Sequence, residues 1–415
     1  MLYRLNISCL LAVLIIAVGM STASAETRYA LDVLPAKHET VVDEETGAEV
    51  VFITTDSAYD KNLYFHDWSW LADSSLVLFT SQREKGGLMG YLTETGELVR
   101  ITTPTGGLGG ATAAVDRNSV FATRGSDVVE MALEIKASDD PQKKPSTVFA
   151  TERHIAALPE HHAGALNPNC DGTLLSMGVK PPKEKGPAHI LSINIASGEI
   201  KTVFTVPEPI NFVYHVQWSH STPHLLSFAA ARPRINVVDI RTGTLIQPYL
   251  EVDGELVTHE HWWVDDQIAF CGGTHEPPTE DSHVKLVDVH SGQVRILGAG
   301  SWWKEGKPSE IAKYNHWHCA GSDDGRWVVS DNWHGDLWLH EGQTARSVLL
   351  TQGHRTYGKG AHPEMGWDRN GEKIVFASQK RGNVDVCIVT IPDALQKANI
   401  TTKRSPEYLK YTTGK

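Results

Sequence analysis

The stretch "AGSDDGRWVVSDNWHGDLWLHEGQTARSVLL", residues 320–350, holds three apolar runs, "WVVSD", "LWLHE" and "RSVLL". Polar turns rich in Asp, Asn and Gly separate them. Short runs of β-branched and aromatic residues bounded by such turns read as strands. The same order recurs along the chain. It starts at "WSWLADSSLVLFTS" (68–81), weakens in "ATAAVDRNSVFATRGSDVVEMALEI" (111–135) and returns at "LNPNCDGTLLSMGV" (166–179). Further copies begin at "VQWSHSTPHLLSF" (216–228), "HWWVDDQIAFCGG" (261–273) and "MGWDRNGEKIVFAS" (365–378). A repeat of ~40–50 residues made of about four short strands is the pattern of a β-propeller. Seven copies predict an all-β, seven-bladed β-propeller filling residues 26–400 as a single domain. Six or eight blades stay open where the repeat blurs, between Glu134 and Ala165. A β-sandwich is the alternative, although it does not explain the regular return of one turn. Helix is expected only from Asp393 to Lys397.

Outside the repeats, residues 1–25 read as a secretory signal peptide. Arg4 gives a positive start, Leu10 to Val18 an apolar run, and Ala23-Ser24-Ala25 a small-residue cleavage site. The expected location is therefore periplasmic or secreted, with no membrane span after cleavage. Cys170, Cys271, Cys319 and Cys387 remain, without a CxxC pair, so no zinc motif is present; buried free thiols or one or two bridges both fit. A net charge of −12 with no basic tract excludes nucleic acid as a partner.

The 20 histidines direct attention to chemistry. In a propeller blade the first strand lines the central channel from one face, and the loop between strands two and three lies at that same face. His215, His259 and His318 each stand about seven to nine residues before the first turn of their copy. Glu364 takes that position in the last copy, with His362 two residues earlier and so on the same side of a strand. His66 and Asp67 take it in the first copy. Arg232 and Arg234 fall on a loop at the same face. A mouth lined by histidines and rimmed by arginines, on an acidic protein, suits a small anion.

These residues resemble the oligogalacturonate lyases, seven-bladed propellers that cleave short pectin fragments by β-elimination. The likeness runs from "NLYFHDWSWLADSSLVLFTS" through "VTHEHWW" and "HWHCAGSDDGRWVVSDN" to "IVFASQKRGNVDVCIVTIPD". It implies that His259, in Thr258-His259-Glu260, is the general base and that Arg234 is the catalytic arginine. It further implies that His318 and His362 are metal ligands. Where the family has His-Pro-His-Pro, this chain reads His362-Pro363-Glu364, so Glu364 takes the place of a ligand histidine. Where the family has a glutamine, this chain has Lys359. His215, Arg232, His66 and Lys359 complete the expected substrate-binding set. The cofactor implied is a divalent cation, manganese in the family; an oxygen donor at 364 hardens the site.

The expected reaction is elimination from a short uronate-containing saccharide. A base removes the proton at C5, charge builds on the adjacent carboxylate, and O4 departs. A lyase or hydrolase for another acidic glycan, or a propeller that binds glycan or protein without catalysis, are the alternatives. The residues offer no clear candidate to protonate the leaving group, which leaves water or solvent linked to Arg234 for that step.

Overall fold

The computed structural model describes residues 26–83, 86–102, 106–210, 212–274, 282–300, 315–354 and 362–396. Seven antiparallel sheets, each of four or five strands, follow one another around an axis as the blades of a propeller. Every copy read in the sequence is one blade, with its first strand innermost. The blurred stretch is not an extra blade. It is the long outer pair of blade 2, Asp127–Lys136 against Thr147–Ala157. The helix is a single turn, Asp393–Gln396, within the described residues.

Residues 27–52 precede the first copy and close the ring. Glu49–Phe52 pairs with Asp385–Thr390 of blade 7, and Glu39–Val42 pairs outside it. Blade 7 is thus built from both ends of the domain. Asp32–Leu34 and Thr27–Ala30 add a fifth strand to blades 1 and 2.

Packing between blades is apolar, and buried indoles staple the inner strands. Trp70 of blade 1 donates to the Gly366 carbonyl of blade 7 at 3.1 Å, and Trp367 of blade 7 to Ala320 of blade 6 at 2.9 Å. Trp262 and Trp263 of blade 5 reach both neighbours, through Gln217 and Ser322 carbonyls at 3.1 and 2.8 Å. Each of these four indoles fills a large interblade volume and satisfies its one donor, whereas Trp218, at the same phase of blade 4, is buried with its donor unpaired among the described residues. The four described cysteines are free, and Cys271, Cys319 and Cys387 are buried. Among the described residues no helix is long and apolar enough to cross a membrane.

One irregularity positions everything that follows. In most blades the inner strand carries extra residues opposite its neighbour. Tyr214 to Gln217 spans three residues against two in Ala229 to Ser227, and Thr258 to His261 spans three against two in Cys271 to Ala269. Blade 2 shows the same break, and blade 3 a wider one, with Ala163 to Asn167 spanning four residues against two in Gly178 to Ser176. In blade 7, Pro363 accepts from Ala377 while Gly366 pairs with Val375, which again leaves one residue over. The bulge residues are Gly110, Gly164, His215, His259 and Glu364, all with φ between +46° and +91°. In blade 1 the bulge has grown into a loop: the inner strand pairs at Asn62 and again at Trp70, and the residues between fold into the channel.

Candidate active site and metal centre

The bulges bring the sequence candidates together at one mouth. Ring centroids of His259 and His318 are 3.9 Å apart, those of His318 and His362 5.0 Å, and those of His66 and His215 5.1 Å. Phe65, from the blade 1 loop, stands among them, 5.7 Å from His259 and 6.0 Å from His215. A β-bulge re-aims a side chain that regular pleating would place elsewhere. A left-handed backbone at a residue other than glycine stores roughly 1–3 kcal/mol. Three such residues at the same phase are held by the surrounding sheet.

His259 has the electronic state that a base needs. Its Nδ1 lies 2.6 Å from the Trp317 carbonyl, an acceptor only, so Nδ1 carries the proton and Nε2 the lone pair. Among the described residues Nε2 meets no hydrogen-bond partner. Burial, and then the neighbouring His318, push the imidazole well below its ordinary range, so it is neutral at pH 7.

His215 is held differently. Its Nδ1 donates to Glu260 Oε1 at 2.9 Å, and the other Glu260 oxygen accepts from Arg234 Nε at 3.1 Å. Burial would raise the Glu260 carboxyl, but Arg234 and His215 outweigh it and hold it at about 2. Glu260 is therefore ionised, and Nε2 of His215 faces the Tyr64 hydroxyl at 3.3 Å. Arg234 is committed to this cluster through one edge, and its side chain keeps 22% exposure on the other.

His318, His362 and Glu364 offer donor atoms all within 4.8 Å of one another, a set able to hold a metal ion. His318 is wholly buried, and Asp331 takes both its backbone N–H (2.7 Å) and its Nδ1 (2.8 Å), which aims Nε2 into the cluster. A carboxylate behind a ligating histidine fixes the tautomer and raises basicity. Glu364 Oε2 is buried with no partner among the described residues, and Oε1 accepts from Lys61 at 2.9 Å. An orphaned carboxylate oxygen beside two imidazoles fits a divalent cation with mixed nitrogen and oxygen donors. Burial lifts the Glu364 carboxyl to about 7 despite Lys61.

Not every candidate joins. Arg232 spends its guanidinium on the Glu251 carbonyl and on Asp253, and stays at the rim. Lys359 lies outside the described residues. His66 borders the cluster and pairs with Asp67 at 3.0 Å. Sequence reasoning gave no role to Glu260, Asp331, Lys61 or Tyr64. Glu260 was visible beside His259, but its partner His215 belongs to another blade. A cavity of about 290 Å³ opens at the far end of the channel. There Arg369 stacks on Trp68 at 4.0 Å and faces Asp323 at 3.7 Å. No sequence candidate falls in it.

No protein-family model and no curated protein matches the chain. Solved structures do. The oligogalacturonate lyase from Vibrio parahaemolyticus superposes with a TM-score of 0.69 at 17% identity, covering 88% of this chain and 100% of that one. An oligogalacturonate lyase in complex with manganese superposes with a TM-score of 0.70 at 16% identity, covering 88% and 99%. The chain shares the propeller fold of these lyases across the length of their chains.

Proposed function

We propose that the chain is a lyase acting on short uronate-containing saccharides by β-elimination, with the oligogalacturonates as the substrate class to try first. One observation carries the reading: a neutral imidazole with an open Nε2, His259, stands against a three-donor cation site at the mouth of a propeller. The likeness in fold to two oligogalacturonate lyases supports it. The secretory leader read in residues 1–25 would place the enzyme in the periplasm or outside the cell.

The chemistry follows from the groups present. The C5 proton of a uronate is weakly acidic because the adjacent carboxylate already bears charge. A cation held by His318, His362 and Glu364, manganese by analogy with the second structure, would supply charge that offsets this. Arg234, fixed by Glu260, presents its remaining edge to the same developing negative charge. His259 takes the proton at Nε2 while the Trp317 carbonyl keeps the ring from turning. Phe65, packed among the rings, keeps bulk water out of the floor of the site.

A screen of acidic oligosaccharides, with and without chelator, tests the proposal by ultraviolet absorbance of the unsaturated uronate. Absorbance that grows with digalacturonate or trigalacturonate and drops on chelation is the expected result. Binding without absorbance change overturns the lyase reading, and product analysis then separates a hydrolase, which shortens the saccharide, from a non-catalytic glycan-binding propeller, which leaves it intact.

A further inference from the structure

Elimination needs a proton for the departing O4 as well as a base for C5. The blade 1 loop places Tyr64 where one is available. Its ring packs against Phe65 (4.6 Å), His66 (4.8 Å) and His215 (5.3 Å), and its hydroxyl meets His215 Nε2 at 3.3 Å. Beside it lies a cleft of about 280 Å³ between blades 3 and 4, lined by Tyr64, His66, Lys180, Tyr214 and His215. Its volume is near the low end of ligand sites, ~300 Å³, which suits a single sugar unit. His259 does not line this cleft. It stands on Phe65, toward the cation site.

We infer that Tyr64 is the acid that protonates O4, and that the cleft between blades 3 and 4 holds the departing sugar. The uronate that reacts then lies over Phe65, its C5 toward His259 and its carboxylate toward His318, His362 and Glu364. Its O4 points to Tyr64, and the sugar attached through O4 enters the cleft. Lys180 lines that cleft, so a departing sugar that is itself a uronate finds a cation there. Burial, then Glu364 and Glu260, raise the Tyr64 phenol above its ordinary range, so the hydroxyl keeps its proton until negative charge develops on O4.

The protons balance without a co-reactant. The C5–H bond breaks and its proton goes to His259 Nε2. The C5 electron pair forms the C4–C5 double bond as C4–O4 breaks. O4 leaves with the phenolic proton of Tyr64. The Tyr64 oxyanion regains a proton relayed from solvent by His215, whose Nδ1 remains tied to Glu260, and His259 releases its proton to solvent. Tyr64 touches the substrate; His215 acts through it.

The assignment rests on the lyase reading, and the test separates the two. Tyr64→Phe keeps the ring contacts and removes only the hydroxyl. On digalacturonate its kcat should fall by roughly 10²–10⁴, the usual span for a general acid, with KM little changed. On a galacturonate bearing 4-nitrophenol at O4, whose anion leaves without a proton, the variant should stay within a few-fold of wild type. His215→Ala should show the same dependence on leaving group. A variant as fast as wild type on digalacturonate, or equally slow on both substrates with an unchanged melting temperature, overturns the Tyr64 assignment alone. A wild-type protein that forms no unsaturated product from any acidic oligosaccharide overturns the lyase reading and this assignment with it.

Discussion

Blades 2 and 3 carry an inner-strand bulge at the same phase as blades 4, 5 and 7, longer by one residue in blade 3, and the two groups fill it differently. Gly110 and Gly164 adopt the left-handed backbone with no side chain to strain. His215, His259 and Glu364 adopt it with a side chain that the site uses. The bulge is therefore a property of the repeat, and chemistry occupies it on one arc of the ring. The largest effect follows from emptying it there. His259→Ala and His259→Gly should both lower kcat by ~10²–10⁴ on an acidic oligosaccharide. The glycine variant should melt higher than the alanine one, because only alanine keeps the strain. A His259 variant with near-wild-type turnover shifts the base to another histidine.

The pH profile sharpens the same contrast. Burial holds His259 below the ordinary 6.5 of an imidazole, so its neutral form survives as the pH falls through that value. The acid limb of kcat/KM that belongs to His259 should lie on the acid side of 6.5, where an unburied histidine would already be losing activity. A limb centred at about 6.5 would show a solvated base.

Blade 6 has no left-handed residue at this phase and reaches the same end by another route. Asp331 on the second strand holds both the backbone and the ring of His318. Asp331→Asn should weaken cation binding ~10–100-fold, as removal of such an outer partner usually does. Lys61→Met works in the opposite direction. It deletes a positive charge 2.9 Å from Glu364, and affinity for manganese should rise on the order of tenfold. Calorimetric titration with the metal alone measures both, independently of turnover. Equal affinities in wild type and Lys61→Met would mean that Glu364 is not a ligand.

The ring of seven blades was legible because each copy repeats the same turns at the same spacing. The phase of His215, His259 and Glu364 was legible for a related reason: each bulge adds the same single residue, so counting back from the turn still works. Counting fails where the bulge differs. The blade 1 loop inserts Tyr64, Phe65 and His66 between Asn62 and Trp70, so their distance from the turn says nothing about which side groups they meet. Lys61 precedes that loop and reaches Glu364 only because blade 1 abuts blade 7. Ring closure by residues 27–52 was not legible either, since an outer strand carries no copy of the repeat.

The smallest effect tests the bulge itself, away from any reaction. Gly164 has φ +91°, and a Cβ added there would meet no atom within 4 Å. Gly164→Ala thus isolates the backbone preference from crowding and should cost about 1–2 kcal/mol. His215→Gly is the reverse exchange one blade on. It relieves a backbone at φ +46° but also unties Glu260, whose buried carboxylate would keep only Arg234 as a side-chain hydrogen-bond partner among the described residues. Leaving a charged group short of one hydrogen bond costs roughly 1–3 kcal/mol or more, which masks a relief of similar size. Pairing the change with Glu260→Gln removes that charge, and the double variant should then recover stability relative to His215→Ala with Glu260→Gln by about 1 kcal/mol. Denaturant unfolding of these variants reads this directly. If glycine at 215 gives no gain over alanine in the Glu260→Gln background, the strain in blade 4 is negligible. The left-handed backbone there would then be a relaxed feature of the fold, not one held in place for the site.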